Sequence, residues 1–346
     1  QGNIKFVLNL SINIFLGICM DVIFWNGGII GTSLARSIGP YKIAHWIRKH
    51  GYDAQVIDFV DKIDEETLYQ TTKKFITSTT KILALSTTFI SSTQYTHSNG
   101  KISRYPEHLL NVLKRIKKDF TFIKVVLGGY ASERLSSHNV IDATIMSYTS
   151  PSEDIFLEYL DHLTKGTPAP YVNLMTPSWG KVPRNMFDRA RTPRYNIEED
   201  DFRWSTSDLI FPGEPLPLDV SRGCIFACKF CRYPHLGKKK FDYIRGMKYI
   251  EEELLYNYEK FGTTSYYILD DTFNDSEFKV QSFYEMTQRL PFKIKFSAYI
   301  RADLIHRFPN MAPLLQDAGL VGAFHGLETF HPSASKLIGK GWSGTP

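Results

Sequence analysis

Three cysteines stand within eight residues in "GCIFACKFCRYPH": Cys224, Cys228 and Cys231, spaced C-x3-C-x2-C. The chain holds four cysteines in all, and three clustered thiols cannot close into disulfides without one left over. Thiolates are soft donors, so the chemistry open to this loop is an iron–sulfur cluster or zinc. His235 follows Cys231, and three cysteines with one histidine would complete a structural zinc site. Such a site would crowd all four ligands onto one loop, whereas zinc ligands usually come in pairs from two short knuckles. Three cysteines alone suit a four-iron, four-sulfur cluster with one iron lacking a protein ligand, and an open metal position is what catalysis at a metal requires.

The spacing, the aromatic Phe230 just before the last cysteine, and the loop's place directly after a predicted strand together resemble the cluster motif of radical S-adenosylmethionine (SAM) enzymes. The resemblance implies that the open iron chelates the amino and carboxylate groups of the methionine part of SAM. An electron from an external donor then cleaves a carbon–sulfur bond and yields a 5′-deoxyadenosyl radical. It also implies roles for residues at strand ends. Phe230 belongs to the SAM site. Asp270 and Asp271 in "LDDTFN" receive the amino group. Arg301 in "YIRADL" meets the carboxylate as a charge-assisted donor, and Glu328 in "HGLET" accepts from the ribose hydroxyls. Taken alone these residues also have plainer readings. The aspartates could form a strand-end turn with Thr272 and Asn274, Arg301 could pair with Asp303, and Glu328 could cap the next helix. The substrate, a small molecule or another class, is not legible.

These residues need a scaffold that brings strand ends together. From 217 to 346 the strand-like runs "LDVSRG", "SYYILDD", "KIKFSAY" and "LVGAFHGLE" alternate with helical patterns, including Phe278 to Leu290 and Leu304 to Ala318. This is the pattern of a partial (β/α) barrel, whose sites gather at the carboxyl ends of the strands. Members of the resembled family have about six such units, so four read as an incomplete core that continues past Pro346, or as an inactive truncated relative.

Residues 20–166 carry the same alternation: "DVIFWN", "DAQVIDF", "KILALST", "IKVVLGG" and "ATIMSYT" are short, apolar and bounded by turn residues. Between the first two, "GPYKIAHWIRKHG" places Ile43, Trp46 and Ile47 on one helical face. The fold class is therefore α/β, a Rossmann/flavodoxin-like parallel sheet preceding the partial barrel. That order of domains resembles the cobalamin-binding subclass of radical SAM enzymes, which implies methyltransferase-like chemistry. Ser86, Gly128 and Gly129 then lie where a cobalamin tail would approach the backbone. Cobalamin domains that ligate cobalt through histidine use a loop after the first strand. Here that loop reads "NGGIIGTSLARSIGPY" and has no histidine before His45, so cobalamin is expected without a histidine ligand, or the domain is a scaffold. Between the domains, 167–216 is rich in proline and reads as a linker wrapping the surface.

Across 346 residues, 43% hydrophobic and 22% charged content is ordinary for a globular protein. A net charge of +5 with one short basic run, Lys238 to Lys240, gives no clear nucleic-acid signal. Residues 1–19 form an apolar leader, short for a membrane span and interrupted by Asn9 and Asn13. Translation is expected to begin at Met20, and no clear membrane signal remains. Sparse, clustered cysteine points to a reducing, cytoplasmic setting.

Overall fold

The computed structural model describes residues 20–30, 34–88, 90, 95–96, 102–103, 106–129, 139–145, 152–169, 197–226, 228–231 and 243–340. It divides into two compact units, Gln1–Val182 with Trp204–Leu209, and Pro183–Arg203 with Ile210–Pro346.

The first unit is built on five parallel strands: β1 (Val22–Trp25), β2 (Ala54–Ile57), β3 (Ile82–Ser86), β4 (Lys124–Gly128) and β5 (Ala143–Ile145). Their order is β2-β1-β3-β4-β5, the flavodoxin-like order. Strands buried on both sides read as continuous apolar runs, and β1 shows how one run serves two layers. Ile23 and Trp25 join the core formed with α2 (Glu65–Phe75) and α3 (Glu107–Asp119). Phe24 points the other way, its ring centroid 5.2 Å from that of Phe156 on α4 (Ser152–Lys165), which packs on α1 (Ile38–Lys49). Trp25 Nε1 donates to Thr72 Oγ1 at 3.0 Å, so the indole's polar atom is satisfied inside the core.

Of the expected linker, 170–196 lies outside the described residues, and the described parts are mixed: 167–169 and 211–213 are exposed, whereas part of 197–208 is packed. Ile197, Phe202 and Trp204 are buried, and the Trp204 ring lies 4.6 Å from that of Tyr41 within the first unit. Prolines had erased the periodicity of this stretch, yet its aromatics carry enough apolar area to be drawn into cores on their own.

The second unit holds β6 (Leu216–Leu218), β7 (Ser265–Ile268), β8 (Lys295–Tyr299) and β9 (Leu320–Phe324), parallel and adjacent in chain order. Pro217 lies inside β6, which is tolerated because β6 is at the sheet edge. Helix α5 (Met247–Phe261) ends at Gly262 in the left-handed conformation, and α6 (Glu277–Arg289) begins with Ser276 accepting from the Lys279 amide at 3.2 Å. The single helix expected over 304–318 is two, α7 (Ala302–Arg307) and α8 (Met311–Asp317). The break falls at Phe308-Pro309, because a residue before proline is pushed out of the helical region. A last helix, α9, spans Pro332–Ile338. Arg245 and Glu253, both fully buried, form an ion pair. Arg245 also donates to the Asp200 carbonyl at 2.6 Å, fixing residues 197–203 beside α5. Among the described residues no helix is long and apolar enough to cross a membrane.

Candidate functional site

The cysteine loop leaves the carboxyl end of β6. Its first residues are held by a strand-like return: Arg222 N donates to Tyr243 O and Arg245 N to Val220 O, both at 2.9 Å, around the Ser221–Ile244 bridge. Gly223 then turns with φ +119°, a conformation open to glycine, and delivers Cys224. Cys224, Cys228 and Cys231 are in no disulfide, and the first two are only 5% and 7% exposed. The Cys231 amide donates to the Cys228 carbonyl at 3.1 Å. Burial pushes the Cys224 thiol above its ordinary pKa, opposed by hydrogen bonding to Thr272 and to the Phe226 backbone. A desolvated thiol of this kind becomes a thiolate when a cationic metal centre compensates it.

Among the described residues, no group of three or more His, Cys, Asp or Glu side chains is gathered as the shell of a single metal ion. By the chemistry of the donor set, the three cysteine thiols would be the residues to hold an iron–sulfur cluster. His235 lies outside the described residues.

The neighbours Asp270 and Asp271, just past β7, have different surroundings. Asp270 is fully buried, and its Oδ1 accepts from Val220 N at 3.1 Å and Ser221 N at 2.8 Å. Its Oδ2 accepts from Ser221 Oγ at 2.5 Å and Lys279 Nζ at 3.1 Å. Burial raises its pKa, against the pull of Lys279 and Ser221. Asp271 is partly exposed. Burial first, then the charges of Asp270 and Asp219, push its carboxyl up to about 7. Thr272 donates to the Asp271 carbonyl at 2.8 Å and receives the Cys224 thiol at 3.5 Å.

Arg301, past the end of β8, lies with its guanidinium 3.8 Å from the ring centroid of Phe226 in the cysteine loop. It pairs with Asp303 at 2.9 and 2.6 Å, the plainer reading of this residue, and also donates to the Lys340 carbonyl. Glu328, past β9, is exposed and adopts φ +56°, uncommon for a residue with a side chain. Lys340 Nζ binds its carboxylate at 2.9 Å and lies 5.5 Å from the Phe230 ring centroid. Phe230 itself is exposed. The Ile338 carbonyl, at the end of α9, accepts from Lys229 N at 2.9 Å. Cys228, Phe230, Arg301 and Glu328 thus share one neighbourhood, with the 338–340 segment running through it. Sequence reasoning missed Lys279, Asp275, Tyr243 and Lys340. Lys279 did leave a signal, because it falls on the same helical stripe as Phe283 and Met286.

In the first unit Ser86 and Gly128 are register partners at the carboxyl ends of β3 and β4, and Gly129 follows. Gly129 has φ +95°, and an added Cβ would lie 2.6 Å from Thr88 Oγ1, so the protein's own backbone requires this glycine. Among the described residues, an added Cβ at Gly128 would meet only the Ile145 carbonyl, at 3.9 Å. The switch point of this strand order lies between β1 and β3, and a residue missed by sequence, Asn26, stands there fully buried. Its Nδ2 donates to Ser37 O at 2.9 Å and Asp58 Oδ1 at 2.6 Å, while its Oδ1 has no partner among the described residues.

Comparison with known proteins bears on both units. Residues 218–344 match the radical SAM superfamily. No curated protein matches the sequence. Among solved structures, the radical SAM methyltransferase TsrM from Kitasatospora setae, with tryptophan substrate and a SAM analogue bound, is similar at TM-score 0.65 and 14% identity, over 94% of this chain and 62% of that one. The cobalamin-dependent SAM radical enzyme OxsB, with aqua-cobalamin and SAM bound, is similar at TM-score 0.62 and 14% identity, over 93% of this chain and 46% of that one. The chain therefore spans about half to three-fifths of the length of these enzymes. Residues 218–344 are thus similar to the radical SAM superfamily, and the fold of the chain is similar to those of TsrM and OxsB.

Proposed function

We propose that the second unit holds a four-iron, four-sulfur cluster on Cys224, Cys228 and Cys231 and binds SAM, and that the first unit binds cobalamin without a histidine ligand, in an enzyme that transfers a methyl group to a small molecule. Held by these cysteines, the cluster would supply the one-electron chemistry for cleaving SAM, with the electron coming from an external donor. The observation that carries this reading is the loop itself: three cysteines outside any disulfide follow the first strand of a parallel sheet, with Asp271 and Arg301 past the ends of the next two strands. Asp271 suits the SAM ammonium, since it lies beside the loop with a carboxylate that gains from a cationic partner. Asp270 suits it less, because its oxygens are spent on Val220, Ser221 and Lys279. Arg301 offers its guanidinium to the SAM carboxylate by exchange with Asp303 or the Lys340 carbonyl, and Phe230 and Glu328 border the same neighbourhood. Methyl transfer is supported by the shared fold with TsrM, and cobalamin by the fold of OxsB and by the small residues at the ends of β3 and β4.

Anaerobic reconstitution with iron and sulfide tests the cluster. The wild-type protein should turn brown, Cys228→Ala should lose both colour and iron, and His235→Ala should keep both. Release of zinc by His235→Ala would instead identify a three-cysteine, one-histidine zinc module.

A further inference from the structure

Lys279 is fully buried on α6, where an amphipathic helix would normally carry an apolar residue. A buried ammonium is costly unless each of its protons finds an acceptor. Here Nζ lies 2.9 Å from Asp275 Oδ1, 3.0 Å from the Thr272 carbonyl, 3.1 Å from Asp270 Oδ2 and 3.2 Å from Ser221 Oγ. The carboxylates are supported in turn. Asp270 takes the Val220 and Ser221 amides, and Asp275 accepts from the buried Tyr243 hydroxyl at 2.7 Å.

Two of these partners lead directly to the cysteine loop. Ser221 lies three residues before Cys224, at the point where the loop leaves β6. Thr272, whose carbonyl Lys279 grips, holds its hydroxyl 3.5 Å from the Cys224 sulfur. A hydroxyl rotates to suit its partner, so the same oxygen can donate to a thiolate. We infer that Lys279 is a positioning residue for the cysteine loop: from inside the core it fastens the exits of β6 and β7 to α6 and so sets the Thr272 hydroxyl against the Cys224 sulfur. This rests on the assignment of Cys224 as a cluster ligand made above. Two aspartates would leave one of the ammonium's three protons without an acceptor; the acceptors that complete the set, the Thr272 carbonyl and Ser221 Oγ, are the ones that tie it to the loop.

The test uses the full chain with Lys279→Met, Ser221→Ala and Thr272→Val. Lys279→Met strands two buried carboxylates, and where it does not fold the other two variants carry the test. In reconstituted protein, loss of iron to a chelator should be roughly 10–100-fold faster in the variants than in wild type, the usual range for removing support behind metal ligands. The cluster's midpoint potential should fall in Thr272→Val, which removes a donor near a ligand sulfur, while its melting temperature stays near the wild-type value. In metal-free protein, mass-spectrometric mapping should show Cys224 alkylated faster in each folded variant. Wild-type iron loss, potential and alkylation rates in Thr272→Val and Ser221→Ala would overturn the inference. Should the wild-type protein take up no iron at all, the cluster assignment fails by itself. The alkylation rates of the metal-free proteins then still decide whether this network positions Cys224.

Discussion

Asp271 follows Asp270 directly, yet of the two only Asp270 has both carboxylate oxygens taken by hydrogen bonds among the described residues. Burial and the neighbouring charges of Asp270 and Asp219 raise Asp271 from 3.8 to about 7, so near neutral pH it is only partly ionised. An ammonium beside it would favour the ionised form. SAM affinity should therefore strengthen as pH rises toward about 7, by roughly tenfold per pH unit below that point, and then level off. Asp271→Asn should bind more weakly and without this pH dependence, as read by calorimetric titration with SAM. Stability should respond in the opposite sense. A raised folded-state pKa means that the folded form binds more protons, so stability falls as pH rises from about 4 to 7 and the cost is complete above 7. Asp271→Asn removes that cost, and the SAM-free variant should melt higher than wild type at alkaline pH. The motif "LDDTFN" made both aspartates legible as candidates. It could not say which one the fold would consume, because Asp270's partners Val220, Ser221 and Lys279 are brought to it from two other elements.

At the scale of elements, the strands and most helices were legible from apolar runs and periodicity, and the exceptions have local causes. Pro309 splits one expected helix into α7 and α8. Residues 197–216 carry no period, so the burial of Phe202 and Trp204 was invisible until cores existed to receive them. The edge strand β9 shows the reverse mismatch, an apolar run that stays exposed. Val321 is 68% and Phe324 58% exposed, and the Phe324 ring lies 5.5 Å from that of Tyr299, itself 54% exposed. A strand edge with apolar side chains is a template for association. The chain should self-associate with rising concentration in sedimentation velocity runs, and a Val321→Lys, Phe324→Lys double variant should reduce that association. A wild-type protein that stays monomeric across the whole range would show that this face is not adhesive.

For the molecule as a whole, alternating strands and helices implied two parallel sheets, but strand order is set by packing and was not legible. The order β2-β1-β3-β4-β5 gives the first unit a switch point at the carboxyl edge. It also makes Ser86 and Gly128 register partners on adjacent strands beside that edge. This geometry yields a clean probe of cobalamin binding. Gly129 is unsuitable, because its φ of +95° and the close Thr88 backbone would make any substitution a structural lesion. At Gly128 an added Cβ meets nothing among the described residues nearer than the Ile145 carbonyl, at 3.9 Å. Gly128→Val should therefore fold and melt like wild type while losing hydroxocobalamin binding, as followed by absorption titration. The wild-type complex should show a base-off spectrum, and its cob(II)alamin form should lack nitrogen hyperfine splitting from a protein histidine, since the loop "NGGIIGTSLARSIGPY" supplies none. Equal binding by wild type and Gly128→Val would move the site away from the ends of β3 and β4. Histidine coupling in the spin resonance would instead show that a side chain from elsewhere in the chain reaches the cobalt.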